Sequence, residues 1–377
     1  MSEYQYYGFL AIDRPLTPEE QQAVARLSSR VDPHPWRAVF TYSWSDFPGS
    51  AGDVLAQYYD AMLYMASWGS AQLMFRFPKA LIDLDRLRQY RVKTLAYPSD
   101  AIAVSTVGTY AVLDIQIDDE EGGGWIEGEG WLDALVPLRE DILRGDMRTP
   151  YLAWLGGVAY EYEVDEDAPE PPVPPGLGDL TPGLRSFVKL FRVDEDLIQA
   201  AAERSPKIEP ALAGDELHQL IARLAAEEKD AFLLRLAQGE PHLSLAFTRR
   251  LQALADVPKG RDSSASRRTV RELLAAAEER RERERQRQAR EAEQKRIEEL
   301  EALARQESKA WAQVDALIAQ KKAREYDEAI QLLLKLRDLA AYRGQTIAFQ
   351  QRLSEIRERY SNRPAWMRRL RETGLSG

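Results

Sequence analysis

From Glu278 to Arg296 the chain reads EERRERERQRQAREAEQKR, and Ala289 and Ala292 are its only apolar side chains. A core is built by burying apolar faces, so no helix, sheet or loop packing can cover this stretch. With neither Gly nor Pro between Thr269 and Ile318, it reads as part of one long helix standing in water. Thr269 and Glu272 have the spacing of a capping box at its start. Pairs such as Glu279 with Arg283 and Glu291 with Lys295 are four apart with the acid first, each contributing roughly 0.2–0.5 kcal/mol. At ~1.5 Å per residue, fifty residues reach roughly 75 Å, so the helix must project or bridge.

The apolar spacing changes at Ile297. Ile297, Leu300, Ala304, Glu307, Trp311, Val314 and Ile318 alternate three and four apart, with only Glu307 breaking the pattern. That is a coiled-coil-like seam and calls for a partner helix. In the charged half, Arg alternates with Glu in near balance, which leaves little net field for a phosphate backbone.

The whole chain sets the same limits. It has 377 residues, enough for two or three domains. Lys plus Arg number 51 against 61 Asp plus Glu, a net charge of −10 that argues against bulk affinity for nucleic acid or an anionic membrane. No cysteine occurs, which excludes disulfides, thiolate metal sites and cysteine nucleophiles. The start MSEYQYYGFLAIDRP lacks a leader pattern, and no apolar run approaches the ~20 residues of a membrane span, so a cytoplasmic protein is expected.

The first 165 residues read as an α+β domain, with α/β as the alternative. Strands are expected over 4–13, 38–44 and 72–77, and a hairpin over 101–117 turning at Gly108-Thr109. Helices are expected after Thr17, over 53–67, and over 131–144 and 148–161. The loop 118–129, DDEEGGGWIEGE, bunches its acids at both ends, out of register with a calcium loop, so no metal is expected; Trp125 is a candidate contact residue.

Residues 166–182 form a proline-rich linker, and 183–257 recur at three and four as a helical bundle. A polar link over 258–268 then leads into the long helix, 269–320. A C-terminal helical module takes 321–377. There the run AREYDEAIQLL from Ala323 resembles the turn and second helix of a tetratricopeptide repeat. The resemblance puts Tyr326 and Ala329 at contact positions facing Trp311 and Val314, and it occurs once, as an αα-hairpin. Further helices are expected over 346–360 and 365–371, the latter placing Trp366, Met367 and Leu370 beside Arg368, Arg369 and Arg371.

The opening Tyr7 to Leu16, YGFLAIDRPL, and the ending Arg363 to Leu370, RPAWMRRL, resemble a group of uncharacterised bacterial proteins. The resemblance implies a bacterial, cytoplasmic protein and carries over no site residue.

Catalytic signatures are sparse. His34, His218 and His242 lie in separate expected elements, Gly122-Gly123-Gly124 sits among acids with no Lys-Ser/Thr after it, and Trp68-Gly69-Ser70-Ala71-Gln72 lacks the second Gly of a nucleophile elbow. A carboxylate-only site using Asp46, Asp60 or Asp83 is what survives. The expectation is therefore a noncatalytic scaffold without cofactor, its long helix spacing two binding surfaces. Its protein partner or second copy is expected on Ile297, Leu300, Trp311, Val314, Ile318, Trp366, Arg368 and Arg369. The alternatives are a nucleic-acid accessory protein using the basic end helix and an enzyme with carboxylates in the first domain.

Overall fold

The computed structural model describes residues 4–28, 31, 33–43, 47–95, 99, 101–118, 128–161, 163–208, 214–255 and 267–375. The architecture is α+β followed by a mostly helical region. The chain forms two compact units, Met1–Arg281 and Glu282–Gly377.

Strands rich in aromatic and aliphatic residues build the centre of the first unit. They are β1 (Gln5–Leu10), β2 (Arg37–Tyr42), β3 (Ala61–Ala66), β4 (Ala71–Pro78), β5 (Ile102–Val107) and β6 (Tyr110–Ile117). All neighbours are antiparallel in the order β2-β1-β3-β4-β6-β5. Helices α1 (Pro18–Ala25) and α2 (Ala51–Tyr58) intervene between strands. Val24 and Leu55 from these helices share one core with Phe9, Phe40 and Met62. The other face of the sheet, with Leu63, Phe75 and Ile115, packs against the helices that follow.

One strand replaces part of an expected helix. Residues 53–67 are helical to Tyr58, as the greater part of α2, and only then become β3, with Asp60 between them. The sequence AMLYMA is made largely of good helix formers, and it shows no alternation because both of its faces are buried.

Beyond the short α3 (Leu84–Arg88) and the β5–β6 hairpin come α4 (Trp131–Leu135), α5 (Pro137–Leu143) and α6 (Arg148–Tyr160). Pro137 opens α5, dividing the helix expected over 131–144 where a backbone donor is missing. Next are α7 (Pro182–Leu190) and α8 (Glu195–Ala202), whose Phe187 and Ile198 join the same core as Tyr151 and Leu155.

The proline-rich segment lies within the first unit instead of standing free as a linker. Leu177 is in the core, Tyr90 Oη donates to Pro172 O at 3.1 Å, and Ser205 Oγ donates to Pro174 O at 2.7 Å. Prolines have no N–H to place, and the N–H groups the strap does have are used too: Glu170 donates to Arg268 O at 2.9 Å and Leu177 to Ser205 Oγ at 3.0 Å. Helices α9 (Gly214–Arg223), α10 (Ala226–Ala237) and α11 (Leu243–Leu254) follow. Leu220, Leu224 and Leu251 make a small core of their own, while Arg249 Nη2 donates to Leu81 O and Leu143 O, each at 2.7 Å. The link expected over 258–268 lies, up to residue 266, outside the described residues.

The long helix, α12, runs Val270–Ala304. The capping box forms: Glu272 N–H donates to Thr269 Oγ1 at 3.2 Å and Thr269 N–H to Glu272 Oε2 at 2.9 Å. Val270, Leu273 and Ala277 are buried in the first unit's core. The expected helix to 320 instead breaks at Arg305-Gln306, and α13 (Glu307–Ala319) begins afresh. Leu300 from before the break and Trp311 from after it enter one core.

In the second unit α13 and α14 (Ala323–Tyr342) form an αα-hairpin, closed by a turn in which Lys321 takes φ +59. Trp311, Val314, Tyr326 and Ala329 are buried together, the contact that the tetratricopeptide resemblance implies. Helices α15 (Thr346–Arg359) and α16 (Pro364–Glu372) complete the core with Phe349, Leu353, Trp366 and Leu370.

Candidate functional site

Three groupings of charge stand out, two buried and one exposed. The first is interior to unit one. Asp60, at the turn from α2 into β3, accepts from Ile12 N–H at 2.7 Å and Asp13 N–H at 2.9 Å, and its other oxygen accepts from Arg76 Nη2 at 2.8 Å. Arg76 projects from β4, caps Ala56 O at 2.8 Å and lies 4.2 Å from the Tyr110 ring centre. Arg139, on α5, donates to Arg76 O at 2.8 Å and grips Asp13 with both ends of its fork, at 2.9 and 2.8 Å. Its guanidinium is also 3.8 Å from Asp60.

Two carboxylates and two guanidiniums thus neutralise one another. Burial pushes the Asp13 carboxyl up, but Arg139 and then His242 more than offset this and hold it below the usual range. His242, in the left-handed conformation at the start of α11, lies 3.1 Å from Asp13 Oδ1. The cluster therefore joins the first turn after β1, the sheet, α5 and the entrance to α11.

A second buried group staples the start of α12. Arg268 donates to Glu170 Oε2 at 2.6 Å, to Oε1 at 2.9 Å and to Ala200 O at 3.0 Å, and Tyr151 Oη donates to Glu170. Burial, then the adjacent Glu170 carboxylate, pushes the Tyr151 phenol well above its ordinary value, so it remains a donor.

The other charge grouping is the exposed span of α12. Between Ala277 and Leu300 no side chain is buried. At its start Arg280 lies 3.6 Å from Glu203 and Arg281 pairs with Asp194 and Asp196 of unit one; further along, pairs such as Arg287 with Glu284 at 2.9 Å and Arg296 with Glu293 at 3.1 Å are local.

The candidate residues fall differently from the expectation. Leu300, Trp311, Val314, Ile318 and Trp366 are interior to unit two, and Ile297 is half-buried. The helices they pack against, α14 to α16, belong to the same chain. Arg369 pairs with Asp327 at 2.6 Å and Arg368 lies 3.7 Å from Glu372, so the basic end helix is partly neutralised. Open to solvent instead is a groove of about 560 Å³ beside α13 and α14, where Leu317 and Leu332 lie among Arg324, Asp327, Glu328 and Lys335. Compared with protein-family models, curated proteins and solved structures, the chain matches none.

Two of the three candidate carboxylates, Asp60 and Asp83, have structural partners. Asp60 is consumed by Arg76 and backbone donors, Asp83 caps α3 by accepting from Arg86 N–H at 3.1 Å, and Asp46 lies outside the described residues, as does Trp125. Among the described residues no group of three acids or histidines is placed to hold a metal ion, and no helix is long and apolar enough to cross a membrane. The residues that sequence reasoning passed over are Asp13, Arg76 and Arg139. Arg139 and Asp13 are 126 positions apart, and no local pattern links them.

Proposed function

We propose that the chain is a noncatalytic interaction protein, a scaffold in which α12 carries a separate binding unit at each end. What supports this reading is the absence of any buried side chain between Ala277 and Leu300, although each of those two belongs to the core of a unit. A helix that buries no side chain over that length contributes to neither core, so its use lies in connecting them. In unit two, the groove beside α13 and α14 offers apolar side chains flanked by both signs of charge, which suits an extended polypeptide segment.

The test replaces residues 282–298 with a flexible Gly/Ser segment of equal length, which leaves the unit-one ion pairs of Arg280 and Arg281 in place. The full chain and this variant are used as baits against extract from the source organism. The reading expects each unit to retain its own partner in both baits, with assembly of the two partners impaired only in the variant. If neither unit retains a protein, or if purified unit one turns over a small-molecule substrate, the reading fails.

A further inference from the structure

The sheet ends on one side at β5, and nothing on the described part of the chain pairs with its outer edge. The two-residue turn Gly108-Thr109 fixes which groups point outward. Val107 opposite Tyr110, Ser105 opposite Val112 and Ala103 opposite Asp114 take the closely bonded positions of the hairpin. Gln116 N–H donating to Ala101 O at 3.0 Å continues the same alternation. The N–H and C=O groups of Val104 and Thr106 are therefore directed away from β6. Ser105, Thr106 and Val107 are exposed, Val107 by 50 %.

Open edges are ordinarily blunted by charge, proline or a bulge. β5 has none of these: its sequence is IAVSTV and its register against β6 is unbroken. The opposite edge differs. β2 begins with Arg37, which pairs with Asp133 and exchanges both backbone hydrogen bonds with His34.

We propose that two copies of this chain pair through β5, antiparallel about a two-fold axis at Ser105. An antiparallel edge is its own complement under such an axis. Val104 of one copy meets Thr106 of the other, each pair exchanging two N–H···O bonds, and Thr106 meets Val104 in turn. On the opposite side of the pleat Ser105 meets its own copy, and Val107 meets Ala103 and loses its exposure. No charge is brought against charge along the strand. A second copy fits because the strand's own residues fill every opposed position, Ser105 on Ser105 and Val107 on Ala103, with no charge among them. The contact is short and each chain carries −10, so the dimer is reversible and strengthens with salt. The inference is independent of the connector role of α12.

Sedimentation of the full chain over a wide concentration range tests it. The expected result is a mass rising from 42.9 kDa toward twice that value, more readily at high salt, with the rise lost in Thr106→Lys. Circular dichroism of Thr106→Lys confirms an unchanged fold. Because the chain has no cysteine, Ser105→Cys supplies a second reading: opposed non-bonded pairs bring Cα atoms to roughly 4.5 Å, within disulfide reach, so oxidation yields a covalent dimer. Glu19→Cys, exposed on α1 between β1 and β2, is the control and does not cross-link. A chain that is monomeric throughout, a dimer indifferent to Thr106→Lys, or a Ser105→Cys chain that cross-links no better than the control overturns the proposal.

Discussion

The arginines of the Asp13–Asp60 cluster and those of the exposed α12 span are the same chemistry in opposite surroundings. Inside unit one, Arg76 and Arg139 have lost water and exchanged it for carboxylates and carbonyls contributed by distant parts of the chain. Along α12, Arg287 and Arg296 keep their water and touch only acids three or four positions away. The contrast teaches that charge content alone says little about what holds a region together. A buried pair contributes little relative to an apolar substitute yet is costly to halve, whereas an exposed pair is cheap either way.

Removing one member of the interior cluster gives the largest expected effect. Arg139→Ala leaves Asp13 without its fork and Arg76 O without a donor, and about 3–5 kcal/mol of unit one's stability is lost, read by urea unfolding. Next is Ala289→Pro, which costs about 3 kcal/mol of local helix free energy. Helical signal falls while the unfolding midpoints of both units stay fixed; a shift in either midpoint would mean that the span is packed on something.

Acid sharpens the comparison further. The Arg14 hydrogen bond, against some burial, and the Thr17 N–H hold Glu20 at about 2, down from 4.5, and Asp13 is likewise lowered. Groups lowered on folding contribute stability above their unfolded values and lose it as pH falls through the folded ones. Unit one therefore weakens as pH drops from 4.5 toward about 2 for the Glu20 part. Urea midpoints across that range measure this, and Asp13→Asn flattens part of the fall. The smallest effect is Arg287→Ala, within about 0.5 kcal/mol by thermal melting, because that guanidinium is already solvated.

Much of the fold was legible where the signal is local. Thr17, Asp194 and Thr269 cap helices through their own side chains, and Gly108, at φ +58, turns the hairpin where its dipeptide says it should. The charged span stayed exposed because its composition permits nothing else. What could not be read depended on tertiary partners. β3 looks helical until both its faces are seen to be covered, and the break at Arg305-Gln306 has neither Gly nor Pro to announce it. The seam from Leu300 to Ile318 packs on helices of its own chain, and spacing cannot say whether a partner helix belongs to the same chain or to another. The interior cluster was least visible, since Asp13, Asp60, Arg76, Arg139 and His242 come from five elements or turns, and only folding brings them together.

The central claim, that α12 is a continuous unpacked helix between its two anchored ends, is open to one direct measurement. The absence of cysteine allows a spin label at Glu282→Cys and another at Glu299→Cys with no background. Seventeen helical steps give an axial separation of roughly 26 Å, and the account predicts a narrow distance distribution there, offset only by the label arms. A broad distribution, or one centred well short of that separation, would contradict it.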